Sequence, residues 1–173
     1  MHLQTYNYRF ASEVLNSEQF RSLKQEILRI LTEASVPQLA TPKKRTRDGR
    51  TRTFTTDQDA LNKYFDQEFE KKGWEVHPKV TENGVTRIEA DFKKGRVQIE
   101  IQLGNMARWY TDVFKFQVSY SLGLIDVGVL VVPMKSFADT IDENIVYFER
   151  VTRELPYAKM SITLPILVIG LSQ

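Results

Sequence analysis

Cysteine is absent from the 173 residues of the chain, which removes disulfides, thiolate zinc sites and cysteine nucleophiles at once. Histidine is scarce as well: the two present, His2 and His77, exclude a polyhistidine metal centre. No apolar run approaches the roughly 18 residues that a membrane span requires. The longest, Val127 to Pro133, has the length of a buried strand. The opening MHLQTYNYRF lacks the basic start and apolar stretch of a secretory leader. The protein is therefore expected in the cytoplasm, away from membranes. Internal repeats are missing too, and one basic stretch is the sole compositional bias.

What is present suits a soluble globular domain: 42% hydrophobic and 27% charged residues, in a length that suits one core better than two. The net charge of +2 hides a strong local asymmetry. In TPKKRTRDGRTRTF, Lys43, Lys44, Arg45, Arg47, Arg50 and Arg52 are opposed only by Asp48, a formal +5 that leaves −3 for the rest. A concentrated cationic segment on a mildly acidic body suits a polyanion such as a nucleic acid backbone. The same run also reads as a solvated, mobile loop without a ligand. It is expected as a loop over about residues 40–56.

Periodicity orders the elements. Apolar residues at three- and four-residue steps predict one helix over Ser12 to Glu33, with Asn16 or Ser17 as cap of its regular part. Val36-Pro37 ends it. Thr56 with Asp59 resembles a capping box and opens a second helix that Gly73 stops. The period then becomes alternating. Trp74 to Val80, a turn at Asn83-Gly84, Arg87 to Phe92, a turn at Lys93-Lys94-Gly95, and Arg96 to Leu103 predict a three-stranded meander. Met106 to Leu122 reads as an aromatic-rich helix, and Val127 to Val132 as a strand buried on both faces. A helical period through Ile141, Ile145, Phe148 and Val151 follows, then a last strand from Leu164 to Leu171. The fold expected is α/β, a mixed central sheet flanked by helices in α-βββ-α-β order.

Within DFKKGRVQIEIQ, alternation places Val97, Ile99, Ile101 and Leu103 on one face of a strand and Gln98, Glu100 and Gln102 on the other. A hairpin turning here can bring Asp91 and Glu100 together. Two adjacent carboxylates repel unless a cation joins them. Mg²⁺, a hard ion that takes carboxylates, a carbonyl and waters, answers that need, with the Ile101 carbonyl completing the set. Gln102 can orient a water but is a poor base. From spacing alone the pair reads equally as acids flanking a hairpin for structural reasons.

The segment resembles the catalytic hairpin of the PD-(D/E)XK nuclease superfamily, in which an Asp is followed by an acid-x-Lys triplet. Gln102 stands where Lys is usual, a departure shared by BglII/BstYI-like type II restriction endonucleases. TYNYRFASEVLN, LNKYFDQEFEKKGW, EIQLGN and LPILVIGL are similar to segments of that family, so the resemblance spans Thr5 to Leu171. It implies a Mg²⁺-dependent endonuclease acting on double-stranded DNA as a homodimer at a short palindrome. Asp91 and Glu100 would be catalytic and bind the metal with the Ile101 carbonyl, and Gln102 would replace the lysine. Asn105 matches a position that approaches base pairs, and His77 falls near the site without being a ligand.

Lys43, Lys44, Arg45, Arg47, Arg50 and Arg52 are expected on DNA phosphates, and Asn144, with Glu143, near base edges. The helix from Met106 to Leu122 is the first candidate for the dimer interface, although its aromatics suit packing on the sheet equally. Its polar positions Arg108, Asp112, Lys115 and Gln117 would face partner or DNA. The family pattern continues past the strand matching Leu164 to Leu171, so DNA enclosure is expected to fall to the basic segment or to be less complete. A repair or recombination nuclease of the same superfamily, and a DNA-binding protein without catalysis, are the alternatives.

Overall fold

The computed structural model describes residues 1–81 and 88–173. Its centre is a six-stranded sheet. The strands are β1 (His2–Tyr8), β4 (Glu75–Val76), β5 (Phe92–Lys94), β6 (Val97–Ile101), β7 (Val127–Pro133) and β8 (Ile166–Ser172), and the spatial order is β1-β8-β7-β6-β5-β4. β6, β7 and β8 run parallel, whereas β1 and the β4-β5 pair join antiparallel at the two edges. A separate hairpin pairs β2 (Gln38–Arg47) with β3 (Arg50–Thr56). This is the mixed sheet expected.

Helices close both faces. The sheet side of Val97, Ile99, Val129 and Ile169 packs with α1 (Ala11–Asn16), α2 (Arg21–Glu33), α3 (Gln58–Lys71) and α5 (Lys135–Ile141). The other side, with Leu130, Val132, Ile166 and Val168, packs with α4 (Arg108–Ser121) and α6 (Phe148–Glu154). The approach of α4 is close. A β-carbon on Gly128 would stand 2.9 Å from the Phe116 ring, so the bare backbone of β7 is what lets α4 settle. Every residue of β7 is buried, as its unbroken apolar run predicted.

Several elements differ from expectation. The first helix is two, broken at residues 17–20, and neither Asn16 nor Ser17 caps α2, whose N-terminal residue Phe20 makes no side-chain cap. Leu15 and Phe20 explain the break, since both are buried. In one straight helix they would point about 140° apart. The helix α3 is capped by Asp57, which accepts from the Ala60 N–H at 3.0 Å, while Thr56 turns to Thr140. The segment expected as one late helix is α5 and α6 with extended chain between. There Val146 N–H donates to Gly104 O and Met106 N–H to Asn144 O, tying this segment to the end of the motif strand.

The basic segment is a hairpin and not a loop. Asp48 and Gly49, both at positive φ, form its turn, as an Asp-Gly pair favours. The N-terminal strand β1 went unpredicted. In the meander, β4 is shorter than Trp74–Val80, Lys79 and Glu89 form an isolated bridge, and Asn83-Gly84 lies outside the described residues. Lys93 and Lys94 pair with Gln98 and Val97, so the turn is Gly95-Arg96 alone.

Candidate active site

The β5-β6 register pairs Phe92 with Ile99, so one step further Asp91 lies opposite Glu100 on the face away from those two buried side chains. Asp91 Oδ2 accepts from Ile101 N–H at 2.7 Å. Its other oxygen has no hydrogen-bond partner among the described residues. Asp91, Ile101 and Gln102 line a cavity of about 590 Å³ together with His77 and Asp66 on one side and Arg108, Asp112 and Lys115 of α4 on the other.

The polar face of β6 is not a solvent face. Gln98, Glu100 and Gln102 are all buried under α4. Each has a partner there or beside it. Gln98 Nε2 donates to Glu100 Oε1 at 2.9 Å, and Lys115 Nζ donates to Glu100 Oε2 at 2.7 Å. Gln102 Nε2 donates to Asp112 Oδ2 at 2.6 Å, and its Oε1 accepts from Gly104 N–H at 2.9 Å. Lys115 also reaches Asp112 Oδ1 at 3.1 Å. Both ends of Gln102 are therefore engaged, and its amide is fixed by α4.

Three carboxylates, Asp91, Glu100 and Asp112, thus share one ammonium. Burial pushes the Glu100 carboxyl well above the ordinary carboxylate range; Asp91 adds to this and Lys115 opposes it. Burial likewise raises Asp91, against the Ile101 hydrogen bond and Lys115. For Lys115, burial disfavours the charge, but Glu100 and Asp112 outweigh it and push the ammonium up to about 12. It is charged at any physiological pH.

The donor types suit a hard divalent cation once Glu100 is freed from its present partners. Asp91 offers a free oxygen to the cavity, Glu100 lies across the hairpin, and the negative excess around one lysine favours added positive charge. Among the described residues no group of three or more Asp, Glu or His has ligand geometry. Most of the coordination shell would then belong to water and substrate, which suits Mg²⁺ better than Zn²⁺.

Asn105 and Asn144 were predicted far apart in sequence, and the chain brings them together: Asn105 bridges to Ile145, next to Asn144. The Asn105 Oδ1 accepts from Ala107 N–H at 2.9 Å, which aims its amide. His77 sits at φ 53°, a left-handed conformation that its β-carbon disfavours. Its N–H donates to Asp91 O at 2.9 Å, and its ring lies 3.8 Å from Asp66. Asp112 and Lys115 are the residues whose place in the site was missed. They had read as polar helix positions facing outward, and the buried Glu100 opposite them was the available signal.

In the β2-β3 hairpin, alternation puts Lys43, Arg45, Arg47, Arg50 and Arg52 on one face and Lys44 on the other. Arg45 bonds Asp142 at 3.2 Å and Glu143 at 2.9 Å and lies over the Phe54 ring. Four of these arginines line a depression with Asp142, Glu143 and Asn144. A third depression, bordered by Gln58, Gly104, Asn105, Arg108, Asp142 and Asn144, shares walls with both the acidic cavity and the arginine face. Three adjoining depressions therefore run from Asp91 past the two asparagines to the hairpin.

A mixed sheet with an acidic hairpin beneath a covering helix defines a restriction-endonuclease fold, and solved structures agree. BglII complexed with a DNA 16-mer superimposes with a TM-score of 0.77 at 19% identity, covering 100% of this chain and 77% of that one. Free BglII gives 0.73 at 18% identity, with 100% and 80% covered. The chain belongs to the restriction endonuclease BglII/BglIII family, whose model matches residues 3–171. No curated protein matches it in sequence.

Proposed function

We propose that the chain is a type II restriction endonuclease that hydrolyses phosphodiester bonds of double-stranded DNA at a short palindromic site, using Mg²⁺. The observation that carries this reading is the row of adjoining depressions from Asp91 to the arginine face. A polyanion laid along it would meet phosphate-binding cations at one end and buried carboxylates at the other. That BglII was crystallised on DNA supports the choice of partner.

In this reading Asp91, Glu100 and the Ile101 carbonyl hold the metal. A bound Mg²⁺ lowers the pKa of an attacking water and stabilises charge on the phosphoryl oxygens. The chain's own residues do the rest. Gln102, clamped by Asp112, walls the cavity, and Arg108 stands between the acids and Asn105 to meet the phosphate. Asn105 and Asn144 present amides suited to an adenine edge. Lys43, Arg45, Arg47, Arg50 and Arg52, on one face of the hairpin, bind phosphates and set the register without reading sequence, while Lys44 lies on the face turned away.

A palindrome calls for two sites related by two-fold symmetry. On α4 and at its C-terminal cap, Tyr110, Phe114 and Leu122 are 50%, 55% and 56% exposed, an apolar row that suits a homodimer contact. The deciding experiment incubates plasmid with the protein and Mg²⁺. Discrete fragments are expected, with Asp91→Asn and Glu100→Ala abolishing cleavage while DNA binding in Ca²⁺ persists. A smear, or cutting confined to junctions and flaps, would turn the reading to a repair nuclease. Undiminished cutting by either variant would overturn the site.

A further inference from the structure

Glu100 cannot meet a metal as it stands. Its side chain has no exposure, both oxygens are taken, and it does not reach the wall of the cavity that Asp91 lines. Lys115 does line that cavity, and its side chain keeps 15% exposure. The ammonium therefore stands between Glu100 Oε2 and the space from which a cation would come.

We propose that Lys115 is a displaceable cation that occupies the metal's place on Glu100 at rest and swings off when Glu100 takes a divalent ion. The inference rests on the metal-dependent reading above. Three features make the exchange feasible. Lys115 has a second anchor, Asp112 Oδ1 at 3.1 Å, on which it can remain after leaving Glu100. A lysine ammonium on a flexible four-carbon stem moves at little cost in packing. A doubly charged ion beside Glu100 repels a neighbouring ammonium, so one carboxylate oxygen does not serve both. Gln102, neutral and held at both ends, supplies no charge from the motif strand. Lys115 brings that charge from α4.

The test is calorimetric titration of Ca²⁺ into the whole protein without DNA, with thermal unfolding in the presence and absence of Ca²⁺. Lys115→Met keeps the stem and removes the competitor. It is expected to bind Ca²⁺ at least about tenfold more tightly, and to gain more in Tm from Ca²⁺ than the wild type does. Lys115→Arg, whose fork grips a carboxylate more firmly, is expected to bind Ca²⁺ more weakly than wild type. It keeps the test valid if Lys115→Met does not fold. Affinity unchanged or lowered in Lys115→Met, unchanged or raised in Lys115→Arg, or no binding by any form, overturns the proposal. Glu100→Gln separates the two layers. If it binds Ca²⁺ as the wild type does, the metal site itself is wrong. If it loses binding while Lys115→Met gains nothing, only the role of Lys115 falls.

Discussion

Gln102 donates its side-chain amide to Asp112 across 2.6 Å, so the last residue of the strand motif is held by a carboxylate from the covering helix. Asp112 also holds Lys115, which makes it the joint between strand and helix. Outer partners of this kind usually change activity by about 10- to 100-fold when removed. Asp112→Ala is expected to slow single-turnover cleavage by that order while leaving DNA binding in Ca²⁺ intact. Asp112→Asn, which can still accept from Gln102, should lose less. Wild-type rates in Asp112→Ala would show that Gln102 needs no such clamp.

The buried Glu100 gives metal-free stability a definite pH dependence. Its carboxyl is raised by burial, then by Asp91, so the folded protein holds this proton more tightly than the unfolded chain, where a glutamate titrates near ~4.3. Stability from this group is full below that value and is lost as pH rises toward the folded pKa, because there the native state binds more protons. Glu100→Gln cannot titrate. The wild type should therefore lose stability relative to Glu100→Gln as pH rises above the ordinary glutamate range, measured as urea midpoints. A difference that is flat, or that drifts toward the wild type, would place Glu100 in a different environment.

Much of this arrangement was legible in the residues. The alternation of Val97 to Gln102 and the apolar run of β7 gave strand, faces and burial, because a period of two leaves one reading. The acid pair followed from a hairpin whose two arms could be counted. The basic hairpin was hidden although Asp48-Gly49 is a strong turn signal, because its arms alternate charge with threonine instead of apolar with polar. The break between α1 and α2 was hidden because Leu15 and Phe20 each fit a helical period, and only the sheet beneath decides that both must be buried. Asp112 and Lys115 were hidden for a related reason. A charged residue on a helix reads as solvent-facing until the buried Glu100 opposite shows where it must point.

The arginine face gives the salt dependence a side. If the face carrying Arg50 and Arg52 meets phosphates, neutralising both to Gln should weaken binding to all DNA sequences similarly. The slope of log affinity against log salt should fall by about 2. Lys44 lies on the opposite face of the same hairpin and is the internal control. Lys44→Gln is expected to change the slope by less than half as much as the double arginine variant. Equal effects from both faces would mean that the hairpin acts as diffuse charge and not as a surface laid on the backbone.

The exposed row on α4 makes the symmetry of the enzyme testable. Tyr110, Phe114, Val118 and Leu122 follow one another at four-residue steps, so they share a stripe of helix surface. Trp109, Val113 and Phe116 already fill the sheet-facing side; within the stripe Tyr110 bonds Glu154, while Phe114 and Leu122 stay more than half exposed. At a two-fold contact Phe114 would approach its symmetry copy or that copy's neighbours. Phe114→Glu would then bury two like charges, a cost of several kcal/mol. Its dimer should dissociate at least about 100-fold more readily in sedimentation equilibrium, and double-strand cutting should give way to nicking or cease. A wild type that is monomeric while making double-strand cuts would break the link between this stripe and the palindrome. A dimeric Phe114→Glu would move the interface elsewhere on the surface.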